Sequence, residues 1–402
     1  MSTSLLDITP FIPSNQQLGE STLPDKVMAL NMRSAKLTGQ LAPLTFATLT
    51  HYMQVVNSYY SNLIEGNPTR PVEIRAAHLG DYSSDPVKRD LQQESLGHIA
   101  VQAWLQDLSP DLDSIFTTDF IQEIHKNFYL NIPESLWVIK DNEGKKRGKI
   151  VPGEWRLEDV QVGLHIAPEA GRVPELMTRF CETYHPNNFK GDRKLIAIMA
   201  AHHRFAFIHP FSDGNGRVGR LLTDVILKAV GLDSYGAWCV SRGLARTSKQ
   251  YKSALAGADT VRQGDYDGRG TLTEQGLMRF CDYMLDTAID QVSYISDLLD
   301  LKNLRKRIDS YVQARNDFRV KGMKEGLKKS ASLVLYTAFL HGELERSQAL
   351  ELCAMPERSA RRLLSQLKKD GLLSETSSKS PLRWEIPEHA EAWYFPDLAP
   401  LA

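Results

Sequence analysis

The stretch HPFSDGNGRVGR, residues 209–220, gathers a histidine, an aspartate, two glycines and two arginines in one place. It follows an apolar run, RKLIAIMAAHHRFAFI at 193–208. It precedes residues 217–230, where Val218, Leu221, Leu222, Val225, Ile226 and Ala229 keep a helical period. The loop therefore ends in a helix N-terminus, which presents unpaired backbone N–H groups and the positive end of a dipole. Gly214 and Gly216 let the backbone take positive φ and let a ligand come close. Such a place binds phosphate. Arg217 and Arg220 are three apart on one helical face, where like charges repel by about 0.2–0.5 kcal/mol. They also sit at the helix end that prefers anions, so the arrangement calls for an anion between them, and a guanidinium fork suits phosphate oxygens. Asp213 adds a hard oxygen ligand of the kind Mg²⁺ takes beside phosphates. His209 is the nearby group that takes a proton near neutral pH. The set spells phosphoryl- or nucleotidyl-type transfer to a hydroxyl with a histidine base. No GxxxxGK[ST] is present, so it is not a P-loop. Spacing leaves open which phosphorus reacts.

A second signal lies upstream in SYYSNLIEGNPT, residues 58–69. Ser61 and Glu65 are four apart and share a helical face. Gly66 follows as the residue just past the helix end. A glutamate in a final turn meets the negative end of the dipole, a penalty of about 0.3–1 kcal/mol that a nearby cation reverses.

Several elements must position these residues. Residues 26–65 read as helix, broken by Pro43 and stopped at Gly66-Asn67-Pro68; 85–107 and 116–129 read as further helices. The stretch 136–163 alternates short apolar pieces around Asn142-Glu143-Gly144 and reads as a β-hairpin or flap. Helices resume near Val173, and 193–208, apolar on most faces, should be central and buried. Residues 1–25 are polar and proline-dotted and read as an extended arm. The strongly basic stretch 302–329 reads as a solvated connecting helix. The final residues run helix, helix, turn, helix, hairpin, the winged helix-turn-helix order. Their third helix carries Arg358, Arg361, Arg362, Lys368 and Lys369 with no acid among 358–369.

At 402 residues the chain exceeds one ordinary core. With 42% apolar and 24% charged residues and a formal net charge of -1, no whole-chain field draws it to nucleic acid or membrane. The four cysteines, 181, 239, 281 and 353, lie far apart without a CxxC, which points to free thiols in a reducing compartment. No apolar run reaches the ~18 residues of a spanning helix, and no signal peptide is evident. The expectation is a cytoplasmic protein without a membrane partner.

HPFSDGNGRVGR resembles the Fic (Fido) motif, HxFx(D/E)GNGRxxR, at every fixed position. The resemblance spreads over roughly 20–290 and includes PGEWR at 152–156, VQVG at 160–163, VPELM at 173–177 and SRGLARTSKQYKSAL at 241–255. It implies a mainly α fold: a Fic-type helical core with a small β-hairpin flap, here followed by the winged helix-turn-helix unit. The expected divisions are 1–110, an N-terminal helical region; 111–290, the catalytic core; 291–330, a linker helix; and 331–402, the winged helix. The implied activity is transfer of AMP from ATP to a protein Ser, Thr or Tyr, with ATP as substrate and Mg²⁺ as cofactor. His209 would deprotonate the target hydroxyl, and Phe211 would anchor the loop in the core. Asp213 would hold Mg²⁺. Asn215 and the amides near Gly214 and Gly216 would cradle the phosphates. Arg217 would meet the β-phosphate region and Arg220 the γ-phosphate. The flap would pair with the target backbone as an added strand.

SNLIEGN is similar to the inhibitory (S/T)xxxE(G/N) motif of Fic proteins that carry it before the core. By that resemblance Ser61, Glu65 and Gly66 form a restraint in which Glu65 pairs with Arg220 and blocks the γ-phosphate site. The target could be another protein or the chain itself, and the site could also remove AMP. An alternative is a DNA-binding regulator with the Fic core as its sensing or self-modifying unit. A homodimer is compatible with the sequence.

Overall fold

The computed structural model describes residues 8–108, 111–140, 146–396 and 398. The apolar run forms the helix Arg193–Ile208, buried along nearly its whole length. It packs against the motif helix Asn215–Ala229, the helix Val173–Tyr184 and the long helix Glu274–Leu298. Pro43 breaks the N-terminal helical run into Leu23–Thr38 and Pro43–Ile64, and in both helices proline sits in the first turn, where a missing N–H costs nothing. Helices Pro86–Leu108 and Thr118–Leu130 complete the frame around the motif.

The expected flap is two hairpins. Val138–Lys140 pairs with Lys146–Lys149, and the turn at Asn142-Glu143-Gly144 lies outside the described residues. Gln161–Val162 pairs with His165–Ile166 around Gly163, which has φ 62.

Two expectations need correction. Residues 8–25 do not form an extended arm: Ile8, Phe11 and Leu18 are buried and Asn15–Gly19 is a short helix. Their backbone is strapped down. Thr9 O accepts from Leu272 N at 2.7 Å, Pro10 O accepts from Arg204 Nη2 at 2.8 Å, and Phe11 O accepts from the Tyr184 hydroxyl. The basic stretch is helical only over Leu301–Asn316, and that helix buries Leu304, Ile308, Tyr311, Val312 and Arg315 instead of being solvated.

The C-terminal residues run Ala331–His341 (helix), Glu343–Leu344 (strand), Arg346–Leu352 and Glu357–Lys369 (helices), then strands Leu373–Ser374 and Leu382–Trp384. The last strand lies between the other two, antiparallel to both. This unit is seated on the helix Pro43–Ile64. Thr45 Oγ1 donates to Phe339 O at 2.5 Å, and the Tyr60 hydroxyl donates to Leu398 O at 3.2 Å. Arg75 pairs with Glu391 at 2.6 Å nearby. All four cysteines are free and buried, and burial pushes each thiol up. Among the described residues no helix is long and apolar enough to cross a membrane.

Candidate active site

His209 caps the buried helix with φ 51 and ψ 61, a left-handed conformation that turns the chain sharply into the loop. Phe211 plugs that loop into the core. It is fully buried, stacked on His125 at 3.9 Å between ring centres and packed on Trp155 at 4.8 Å. Asn215 closes the loop: its Nδ2 donates to Phe211 O at 2.8 Å, and its Oδ1 accepts from Phe211 N at 2.9 Å. Both ends of that amide are engaged with backbone, so here the side chain shapes the loop and does not point to a ligand. Of the two glycines only Gly214 takes positive φ, 79, which corrects the expectation for Gly216. Gly216 is helical and serves close approach, because a Cβ there would collide with Glu65 Oε1.

Burial pushes the His209 imidazole down to about 4, and His165 and Arg156 add to the effect. It is therefore neutral at physiological pH and able to accept a proton. The Asp213 side chain is 53% exposed, and one of its oxygens accepts from the Tyr129 hydroxyl at 3.2 Å.

Both motif arginines are buried, and each is met by a glutamate from outside the motif. Arg220 Nε donates to Ser61 Oγ at 2.9 Å, and its Nη2 donates to Ser61 O at 3.0 Å and to Glu65 Oε1 at 2.6 Å. Burial works against the Glu65 charge, yet Arg220 and then Arg217 outweigh it and hold the carboxyl below its usual range. Arg217 Nη1 lies 3.3 Å from Glu94 Oε2 and its guanidinium lies 4.5 Å from the centre of the Phe128 ring. Glu94 is tied back to the same turn as Glu65, since Asn67 Nδ2 donates to Glu94 Oε2 at 3.3 Å.

The end of the helix Pro43–Ile64 sets Glu65. Gly66 has φ 87; its N–H bonds Leu63 O at 3.1 Å and that of Asn67 bonds Asn62 O at 3.0 Å, a Schellman closure. The structure thus brings His209, Asp213, Arg217 and Arg220 to one helix entry, with Ser61 and Glu65 laid across it.

Residues 115–227 match the Fic/DOC family. Glu65 and Glu94 lie outside that match. The protein adenylyltransferase Fic of Drosophila melanogaster is 39% identical over 182 residues, and that of Culex quinquefasciatus is 30% identical over 173 residues. Each match covers 43% of this chain and 32% of the relative, so the chain spans about a third of the curated relatives' length. Among solved structures, a Fic family protein from Desulfovibrio desulfuricans G20 superposes with a TM-score of 0.50 at 20% identity, over 90% of this chain and 96% of that one. Fic-1 from C. elegans gives 0.53 at 16% identity, over 70% and 73%. At these identities the likeness establishes a Fic-type fold.

Within the Fic/DOC segment, His202 and His203 are core residues. His202 lies between Thr223 Oγ1 at 2.7 Å and the Tyr251 hydroxyl at 2.8 Å, and His203 pairs with Asp259 at 2.9 Å. Trp155 packs on the loop, and Arg156 is buried. The sequence reading missed Glu94, Asn67 and Tyr129, which stand in plain helices or turns without a motif of their own.

Proposed function

We propose that the chain is a cytoplasmic protein adenylyltransferase. It transfers AMP from ATP, with Mg²⁺, to a hydroxyl side chain of a target protein or of itself, and Glu65 restrains it. The observation that carries this reading is the meeting of His209, Asp213, Arg217 and Arg220 at one helix entry, with Glu65 2.6 Å from Arg220. The target hydroxyl oxygen attacks the α-phosphorus in line, its proton passes to neutral His209, and pyrophosphate leaves. The amides of residues 214–216 cradle the phosphates, Arg217 faces the β-phosphate region, and Arg220 faces the γ-phosphate. Glu65 fills the fork of Arg220, so the γ-phosphate seat is taken until the ion pair opens. With Glu65 in place, the same site could orient water to remove AMP.

Among the described residues no cluster of three His, Cys, Asp or Glu side chains could hold a metal. The half-exposed carboxylate of Asp213, a single hard oxygen donor, would suit a Mg²⁺ that arrives with the nucleotide's phosphates. Once bound, the ion would neutralise charge on the phosphate oxygens.

The hairpin 161–166 supports target docking. Leu164 is 98% exposed and Ile166 75%, on the short two-stranded pair Gln161–Val162 and His165–Ile166.

Labelling tests the transferred group. In the Glu65→Gly chain, α-labelled ATP should mark protein and γ-labelled ATP should not. Label from the γ-phosphate alone would replace adenylyl transfer with phosphoryl transfer.

A second reading adds DNA. The element order of residues 331–384 supports a winged helix-turn-helix. In its helix Glu357–Lys369, Ala360, Leu363, Leu364 and Leu367 are buried while Arg358, Arg361, Arg362 and Lys369 are exposed. Duplex DNA binding that weakens with salt and disappears in Arg361→Ala/Arg362→Ala would favour it; binding indifferent to both would dismiss it.

A further inference from the structure

Arg156 is 1% exposed, and among the described residues its only ion-pair partner, Asp159, is 3.9 Å away and solvent-facing. Its hydrogen bonds go to backbone carbonyls. Nε donates to His209 O at 2.8 Å, Nη1 to Glu158 O at 2.9 Å, and Nη2 to Pro168 O and to Ile208 O, the latter at 3.4 Å. Its own amide donates to Pro210 O at 2.9 Å. A charge buried this deeply is costly unless its donors are satisfied.

The acceptors form two groups. Ile208, His209 and Pro210 are the peptides that carry the base. Glu158 and Pro168 are the two stems of the hairpin Gln161–Ile166. His209, with φ 51, holds a backbone conformation that side chains with a Cβ disfavour and that persists where its surroundings over-determine it. Arg156 supplies that over-determination from one point, and it ties the base to the flap across the same guanidinium.

We propose that Arg156 is a positioning residue for His209, fixing in common the peptide that aims the imidazole and the stems of the flap that presents the target hydroxyl. Its hydrogen bonds and its ion pair reach none of Asp213, Arg217 and Arg220. The nucleotide seat is therefore set independently, and the effect of Arg156 falls on turnover and not on ATP binding. The inference rests on the transfer reaction proposed above.

The test uses the full chain with Glu65→Gly as parent, adding Arg156→Ala or Arg156→Lys. The readouts are AMP-transfer turnover, ATP affinity by calorimetry, and rescue by millimolar methylguanidinium. Turnover in the alanine variant should fall about a hundredfold, as expected for a misplaced reacting group. ATP affinity should stay within about twofold, and methylguanidinium should restore part of the turnover. Lysine should recover little, because a point charge cannot serve a fan of carbonyls.

Turnover within about threefold of the parent, or an ATP affinity that falls by the same factor as turnover, would overturn the proposal. If the alanine variant does not fold, the lysine variant decides: full activity there also overturns it. An unlabelled Glu65→Gly parent would instead remove the transfer reaction, and this inference with it.

Discussion

His209 can act as a base only when neutral, and burial keeps it so until the pH falls to about 4. With Glu65→Gly as the working enzyme, kcat/KM for transfer should therefore be flat from about pH 8 to 6 and decline only as the pH approaches the lowered value. An inflection near the ordinary histidine value of 6.5 would contradict this burial account. Glu94 gives a second residue-scale prediction. It lies 3.3 Å from Arg217, so a phosphate at that arginine meets a carboxylate already in place. Glu94→Gln in the Glu65→Gly chain should tighten ATP binding on the order of tenfold, ~1.4 kcal/mol, read by calorimetry. Unchanged affinity would mean that Arg217 does not hold nucleotide. The meeting of His209, Asp213, Arg217 and Arg220 at one helix entry was legible because types and spacing fall within one stretch. Glu94 was not, because its partner Arg217 lies 123 positions away in sequence (217 − 94) and it stands out from none of its neighbours; Arg156 was visible within PGEWR, but its tie to the His209 peptide, 53 positions on (209 − 156), was not.

The element that would carry the proposed restraint is the end of the helix Pro43–Ile64. Gly66 is left-handed, and the two hydrogen bonds that close the helix depend on it. Gly66→Ala should cost about 1–2 kcal/mol, measured by urea unfolding. It should also raise basal labelling, because Glu65 loses its register on Arg220. A variant as stable and as silent as the wild type would show that the turn does not set the glutamate. Proline, glycine and helical period made this helix and its end readable. In the connecting helix the high charge reads as solvation, but the spacing of its apolar residues decides the outcome. Leu304, Ile308, Tyr311, Val312 and Arg315 follow a helical stripe, and that stripe is what the fold buries. The N-terminal strap left no pattern at all, since Thr9, Pro10 and Phe11 are held through backbone carbonyls.

Across the whole molecule the core is rich in neutral histidines. Burial lowers His98, His125 and His202 to about 3, and His203 and His209 to about 4. Each depressed value favours the folded state fully above 6.5, the value these groups take when unfolded, and that contribution is lost as pH falls toward 4 and then 3. Below 6.5 the unfolded chain binds more protons, so stability should drop steadily between pH 6.5 and 4 in denaturant titrations. Stability unchanged over that interval would contradict the burial of these rings. The C-terminal unit enters here too. Through Thr45 and Tyr60 it rests on the helix that ends at Glu65, with the Arg75–Glu391 pair beside it, a placement that no reading of separate sequence segments could supply.

In the proposed function the ion pair between Glu65 and Arg220 holds closed a nucleotide-transfer site whose base is His209. The most direct measurement compares initial rates of protein labelling from α-labelled ATP and Mg²⁺ in wild type, Glu65→Gly and Glu65→Gly/His209→Ala. Labelling should be weak in the wild type, strong in the single variant and absent in the double. Equal labelling in wild type and Glu65→Gly, or labelling that survives the loss of His209, would contradict that function.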